Sequence, residues 1–197
     1  MIIEVEESYY KHFYSFLQEV EPELRIEEDV DTYIYDLIEI ADRYEKKATR
    51  NFLKINVLPA VAIYKALLEH REEKDALRLI GDYISRTESK NVKTYRGKGL
   101  ISRLLGCYNG VLYREMNRRK EGWKITWLYH TRKETACNVQ ECLIASVLNE
   151  LECARLIPVL CEHEHRLMKS LHNGHFSCNH TIGNGDDFCD FVFEEKL

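Results

Sequence analysis

Two hydrophobic periods divide this chain, and their order limits the folds open to it. Up to residue 85 apolar side chains recur every three to four positions, the spacing that puts them on one face of a helix. From Trp123 the stretch WKITWLYH alternates instead, as a half-buried strand does. Tyr10, Phe13, Tyr14, Leu17 and Val20 predict a first helix, stopped at Pro22. Val30, Tyr33, Ile34, Leu37, Ile38, Ala41 and Tyr44 predict a second, opened by Glu27, Glu28 and Asp29, whose charges suit a helix N-terminus. A third is expected to begin near Asn56 and Pro59, and EKDALRLIGDYIS supplies a fourth.

The second half mixes strands with helices. WKITWLYH and TRKETACNV read as antiparallel neighbours around a turn near Thr131 to Lys133. Val139, Cys142, Leu143, Ser146, Val147 and Leu151 return to a helical period, and another helix covers Ala154 to Leu171 or starts at Pro158. HFSCNHTI and FCDFVFEE then read as a hairpin turned by Gly183, Asn184 and Gly185. The fold expected is α+β: an N-terminal helical lobe, then a small antiparallel sheet with inserted helices. At 197 residues one domain is expected, with a helical lobe over 1–85, a polar connector over 86–122 and an α+β part over 123–197 that carries the site.

Charge narrows the partners. A formal net charge of -5 gives no general attraction for phosphate backbones or anionic lipids. The Lys- and Arg-rich connector therefore reads as a solvated segment, and a small-molecule substrate is expected, with no nucleic acid and no membrane. The start, MIIEVEESYY, lacks a basic region followed by an apolar one, and no uncharged run approaches a bilayer's thickness, so a cytoplasmic location is expected. Seven cysteines, at 107, 137, 142, 153, 161, 178 and 189, with no CxxC pair, fit free thiols in a reducing compartment better than a disulfide framework or a zinc ribbon. Nothing in the sequence sets an oligomeric state.

The residues with chemistry cluster late. On a helix, Cys161, Glu164 and His165 share a face at i, i+3 and i+4, while His163 points away. A thiol beside an imidazole is a candidate nucleophile, so Cys161 is singled out. Cys161, His163, His165, Cys178 and His180 hold the atoms of a zinc site, but a C-x-H-x-H run on one helix cannot aim all three side chains at one ion, and no metal or other cofactor is expected. Successive amides in the glycine-rich turn could converge on an anion. A bland hairpin would explain the two glycines but not Asp190, an acid inside the apolar run FCDFVF.

INVLPAVAIYKALLEH, Cys161 followed three residues later by an acid, and the terminal set Thr181, Gly185, Cys189, Asp190 and Phe191 together resemble the L-2-amino-thiazoline-4-carboxylic acid hydrolase family, from Glu45 to Phe193. The resemblance implies hydrolysis of a C–N or C–S bond in a small cyclic amidine, opening the ring to an N-carbamoyl cysteine. Taken with the residues' own chemistry, it points to Cys161, Glu164, His165, His180 and Asp190 as the catalytic set, and to Thr181, Asn184, Gly185 and Cys189 as substrate contacts. In that set Asp190 or Glu164 holds the amidinium, His165 or His180 moves protons, and Cys161 or Cys189 is the reactive thiol. The chain departs from that pattern at Glu164, where an aspartate is usual, and at Val192, where an arginine is usual. Either the substrate lacks a carboxylate or Arg132 or Arg166 supplies the missing contact. Attack by water with Cys161 only lining the pocket, a non-catalytic binding domain with the same pocket, and a related enzyme of natural-product biosynthesis remain alternatives.

Overall fold

A computed structural model of the chain describes residues 12–86, 121–131, 134–171 and 174–195. The expectations for Tyr10, Cys107, Arg132 and most of the basic connector lie outside the described residues. The architecture is α+β, and the chain forms two compact units, Met1–Tyr83 and Ile84–Leu197.

The first unit is helical: α1 (residues 12–20), α2 (Glu27–Asp42), α3 (Lys47–Phe52), α4 (Leu58–Leu68) and most of α5 (residues 73–86), whose last three residues fall past its boundary at Tyr83. The third helix does not begin at Asn56. It runs unbroken from Lys47 to Leu68, with one π turn over Leu53–Val57 joining α3 to α4. Asn56 is no cap, since its side-chain amide donates to the Phe52 carbonyl at 3.0 Å. Pro59 has no N–H to give to the preceding turn, and a widened turn just before it absorbs that loss without breaking the helix. By length and composition Lys47–Leu68 could cross a membrane, but 61% of its apolar window is buried in the protein, as befits a central core helix. Phe13, Leu17, Val30, Leu37 and Ile80 are buried in this unit, with Phe13 edge-on to Tyr83 at 5.0 Å.

Among the described residues, the second unit holds a four-stranded antiparallel sheet and two main helices. Strands β1 (Lys124–His130), β2 (Glu134–Glu141), β3 (Gly174–Ser177) and β4 (Cys189–Glu195) lie in the order β1-β2-β4-β3. The expected β1/β2 pairing is present, closed by Thr131, whose N–H donates to the Glu134 carbonyl at 2.8 Å. Val139 belongs to β2 rather than to a helix; α6 (Leu143–Glu150) starts only after Cys142. A short 3-10 turn (Ala154–Leu156) leads into α7 (Ile157–Leu171), with Pro158 in its first turn, where a missing N–H costs nothing. One sheet face carries Cys137, Val139, Cys189, Phe193 and Phe176 as a buried core, against which Ile125, Trp127, Met168 and Phe191 pack.

The C-terminal hairpin is shorter than the alternation suggests. β3 ends at Ser177, paired with Val192, and residues 178–188 leave the sheet as a loop containing the 3-10 turn Ile182–Asn184. The reason lies in Asp190. Its carboxylate accepts the N–H groups of Asn179 at 2.7 Å and His180 at 2.6 Å, taking the place of the ladder bonds that would have continued the strand.

Candidate active site

A small cavity of about 50 Å³ lies within the second unit. Its helical wall is the stripe Cys161, Glu164, His165 and Met168 of α7, a run of i, i+3, i+4 and i+7 positions on one helix face. Ile125 comes from the edge strand β1, Val139 from β2, Cys189 and Phe191 from β4, and Cys142 and Ile144 from the entry to α6, with Trp123 beside β1. Most of the lining is apolar or thiol. Glu164 brings the carboxylate and His165 the imidazole.

Low polarity sets the state of these groups. Burial pushes the Cys161 thiol up to about 12, with repulsion from Cys142, Cys189 and Glu164 adding to it and the Gly183 N–H pulling slightly back. Burial likewise raises Cys142 to about 11, against two helpful backbone N–H groups, from Ala145 and Ile144, at the start of α6. Cys189 is raised by burial, partly offset by the Ile182 N–H that donates to its sulfur at 3.3 Å. Burial, then Lys169, lowers His165, while Glu164 and Glu162 act the other way. At neutral pH the empty cavity thus presents neutral thiols and a neutral imidazole, a group able to accept a proton.

Of the residues expected in the site, Cys161, Glu164, His165 and Cys189 line this cavity. His180, Asp190, Thr181, Asn184 and Gly185 do not; they build the loop beside it. The His180 ring is exposed, 3.4 Å from Asp190 and tilted against the Phe188 ring at 5.9 Å. Burial alone would raise the Asp190 carboxyl, but the His180 and Asn179 N–H groups outweigh it and hold it below the usual carboxylate range. Thr181 caps the 3-10 turn, its hydroxyl accepting the Asn184 N–H at 3.1 Å, and its own N–H donates to Asp186 at 2.7 Å. Gly185 closes the turn at φ +94°, a conformation open to glycine.

Gly183 has a different task from the turn duty assigned to it. It is not in the left-handed region; a Cβ there would lie 2.8 Å from the Cys161 sulfur, so its bare Cα lets the loop close onto α7. Sequence reasoning passed over Trp123, Cys142 and Met168. Met168 was findable as the next turn of the Cys161 stripe, whereas Trp123 and Cys142 fell within apolar periods that gave no sign of which cavity they face. Arg166 turns to Glu162, 2.8 Å away, instead of the cavity. Among the described residues no three His, Cys, Asp or Glu side chains gather in a way that could hold a metal ion.

An apolar cavity walled by thiols and served by one carboxylate and one imidazole, set in a small α+β unit, is the equipment of a hydrolase or a binder of small ligands. The chain belongs to the L-2-amino-thiazoline-4-carboxylic acid hydrolase family, whose model matches residues 50–193. No curated protein matches it. A crystal structure of the Fe(II) unliganded H-NOX protein from K. algicida aligns over 94% of this chain and 95% of that one, at 15% identity and a TM-score of 0.31, too slight a likeness to argue from.

Proposed function

We propose that this protein hydrolyses a small cyclic amidine of the 2-aminothiazoline type in the α7 cavity, with Cys161 as nucleophile. What supports this most is one observation: Cys161, Glu164 and His165 line a single, largely apolar cavity from one helix face. A protonated amidine carries its charge on two N–H groups, and a carboxylate at Glu164 accepts both. That cation also works against the burial, and the smaller repulsion from Cys142, Cys189 and Glu164, that keep Cys161 protonated in the empty site. The thiol proton passes to His165, the sulfur adds to the amidine carbon, and the ring C–S bond breaks as His165 returns the proton to the departing sulfur. Water then adds to the enzyme-bound amidine carbon and Cys161 leaves, so that one water is consumed and an N-carbamoyl thiol is formed. The free state of the described cysteines suits a reducing, cytoplasmic setting.

A second reading has its own support. Thiols held neutral by burial are poor nucleophiles, and a non-catalytic binding domain could use the same cavity. Incubating the full chain with L-2-amino-thiazoline-4-carboxylate and following the product by mass spectrometry separates the two. Hydrolysis adds the mass of water and stops in Cys161→Ala. Saturable binding without product, unchanged in Cys161→Ser, would favour the binding domain.

A further inference from the structure

A second, more open cavity of about 460 Å³ lies beside the first and shares one wall with it, His165. Its remaining lining comes from Lys169, one turn further along α7, and from β3 and the start of the following loop: His175, Phe176, Ser177, Cys178 and Asn179. The two spaces differ in chemistry. Behind His165 the walls are apolar and thiol, with Glu164 as the charged group; in front of it they carry an ammonium, a second imidazole, a hydroxyl and a side-chain amide.

Lys169 is exposed, and among the described residues no carboxylate forms an ion pair with it. It is close enough to His165 to lower that imidazole's basicity, which places its charge at the junction of the two spaces. The nearby acids are otherwise engaged or peripheral. Asp190 is bound by two backbone N–H groups, and Glu194 lies across from His175 on β4.

We propose that this groove is a subsite for an anionic tail on the substrate, and that Lys169 is the residue that selects for it. The inference rests on the reading of the α7 cavity as the amidine site. The substrate class it names is a cyclic amidine head carried on an extension that passes His165 and ends in a carboxylate or similar small anion, longer than an acid attached directly to the ring. An ammonium with three rotatable donors suits a terminal anion whose orientation is loosely set.

Three probes test it by titration calorimetry on the full chain: 2-aminothiazoline, the glycine amide of 2-aminothiazoline-4-carboxylate ending in a free acid, and the uncharged methylamide of that same extension. The free acid is expected to bind at least tenfold more tightly than the methylamide, and Lys169→Met to reduce the difference to within twofold while leaving 2-aminothiazoline unaffected. Equal binding of acid and methylamide, discrimination that survives Lys169→Met and Lys169→Glu, or failure of all three probes to bind would overturn the subsite. Tight, Lys169-dependent binding without turnover would leave the subsite standing and count against hydrolysis alone.

Discussion

A Cβ on residue 183 would sit 2.8 Å from the sulfur of Cys161 and 3.3 Å from its Cβ. The glycine of the C-terminal loop and the thiol of the cavity are thus fitted to each other, and the loop's connection to the site runs through this contact rather than through His180 or Asp190. Gly183→Ala is expected to cost about 1–3 kcal/mol through overpacking. In a Cys161→Ala background, with the sulfur gone, most of that cost disappears. Denaturant unfolding of the four members of this cycle measures the coupling; additive effects would mean the contact is not what constrains residue 183.

Gly185 offers the contrast of a glycine held by conformation alone. Nothing lies within 4 Å of its prospective Cβ, but its φ is +94°. Gly185→Ala should cost roughly 1 kcal/mol from backbone strain, with no dependence on residue 161.

Asp190 is expected to matter to stability and not to the reacting atoms. Asp190→Ala leaves two backbone N–H groups without their charged acceptor and should cost about 2–3 kcal/mol. Because the folded carboxyl is held below its ordinary value, its contribution is fully present above the unfolded pKa near 3.8 and is lost as pH falls through the folded value. Wild type should therefore lose stability in that acid range, and the variant should lose less there.

The thiols predict the opposite limb. Cys137 and Cys161, both pushed up to about 12 mainly by burial, and Cys142, raised to about 11, stay protonated in the fold where an unfolded thiol near 9 has ionised. Their contribution is intact below pH 9 and is lost as pH rises toward 11 and 12. Alkylation of Cys161 by iodoacetamide should accordingly be slow at pH 8, with a thiolate fraction on the order of 10⁻⁴. Peptide mapping of the alkylated protein reads this directly. Fast labelling of the empty site would show that its thiol is not held neutral.

Much of this was legible because periodicity and side-chain chemistry agreed. The Cys161, Glu164, His165 stripe follows from helical spacing alone, and the β1/β2 pair from alternation and a turn. The failures come where a side chain overrides the local pattern. Asp190 removes Asn179 and His180 from a strand their neighbours favour, and the π turn before Pro59 lets a helix pass where a start signal stands. Gly183 looks like a turn residue in one dimension, because the sulfur it accommodates lies twenty-two positions away. The role of Cys142 depends on a tertiary meeting of α6 and α7 that no local period encodes.

Turnover of L-2-amino-thiazoline-4-carboxylate by wild type, Cys161→Ala and Glu164→Gln, with the acid-quenched protein weighed intact, bears most directly on the α7 cavity as a site of amidine hydrolysis. The expected result is a ring-opened product from wild type, a substrate-mass adduct mapping to Cys161, loss of both in Cys161→Ala, and at least a hundredfold loss of kcat/KM in Glu164→Gln. Undiminished hydrolysis by Cys161→Ala would contradict the thiol mechanism, and no hydrolysis by folded wild type would contradict the proposed activity on this substrate.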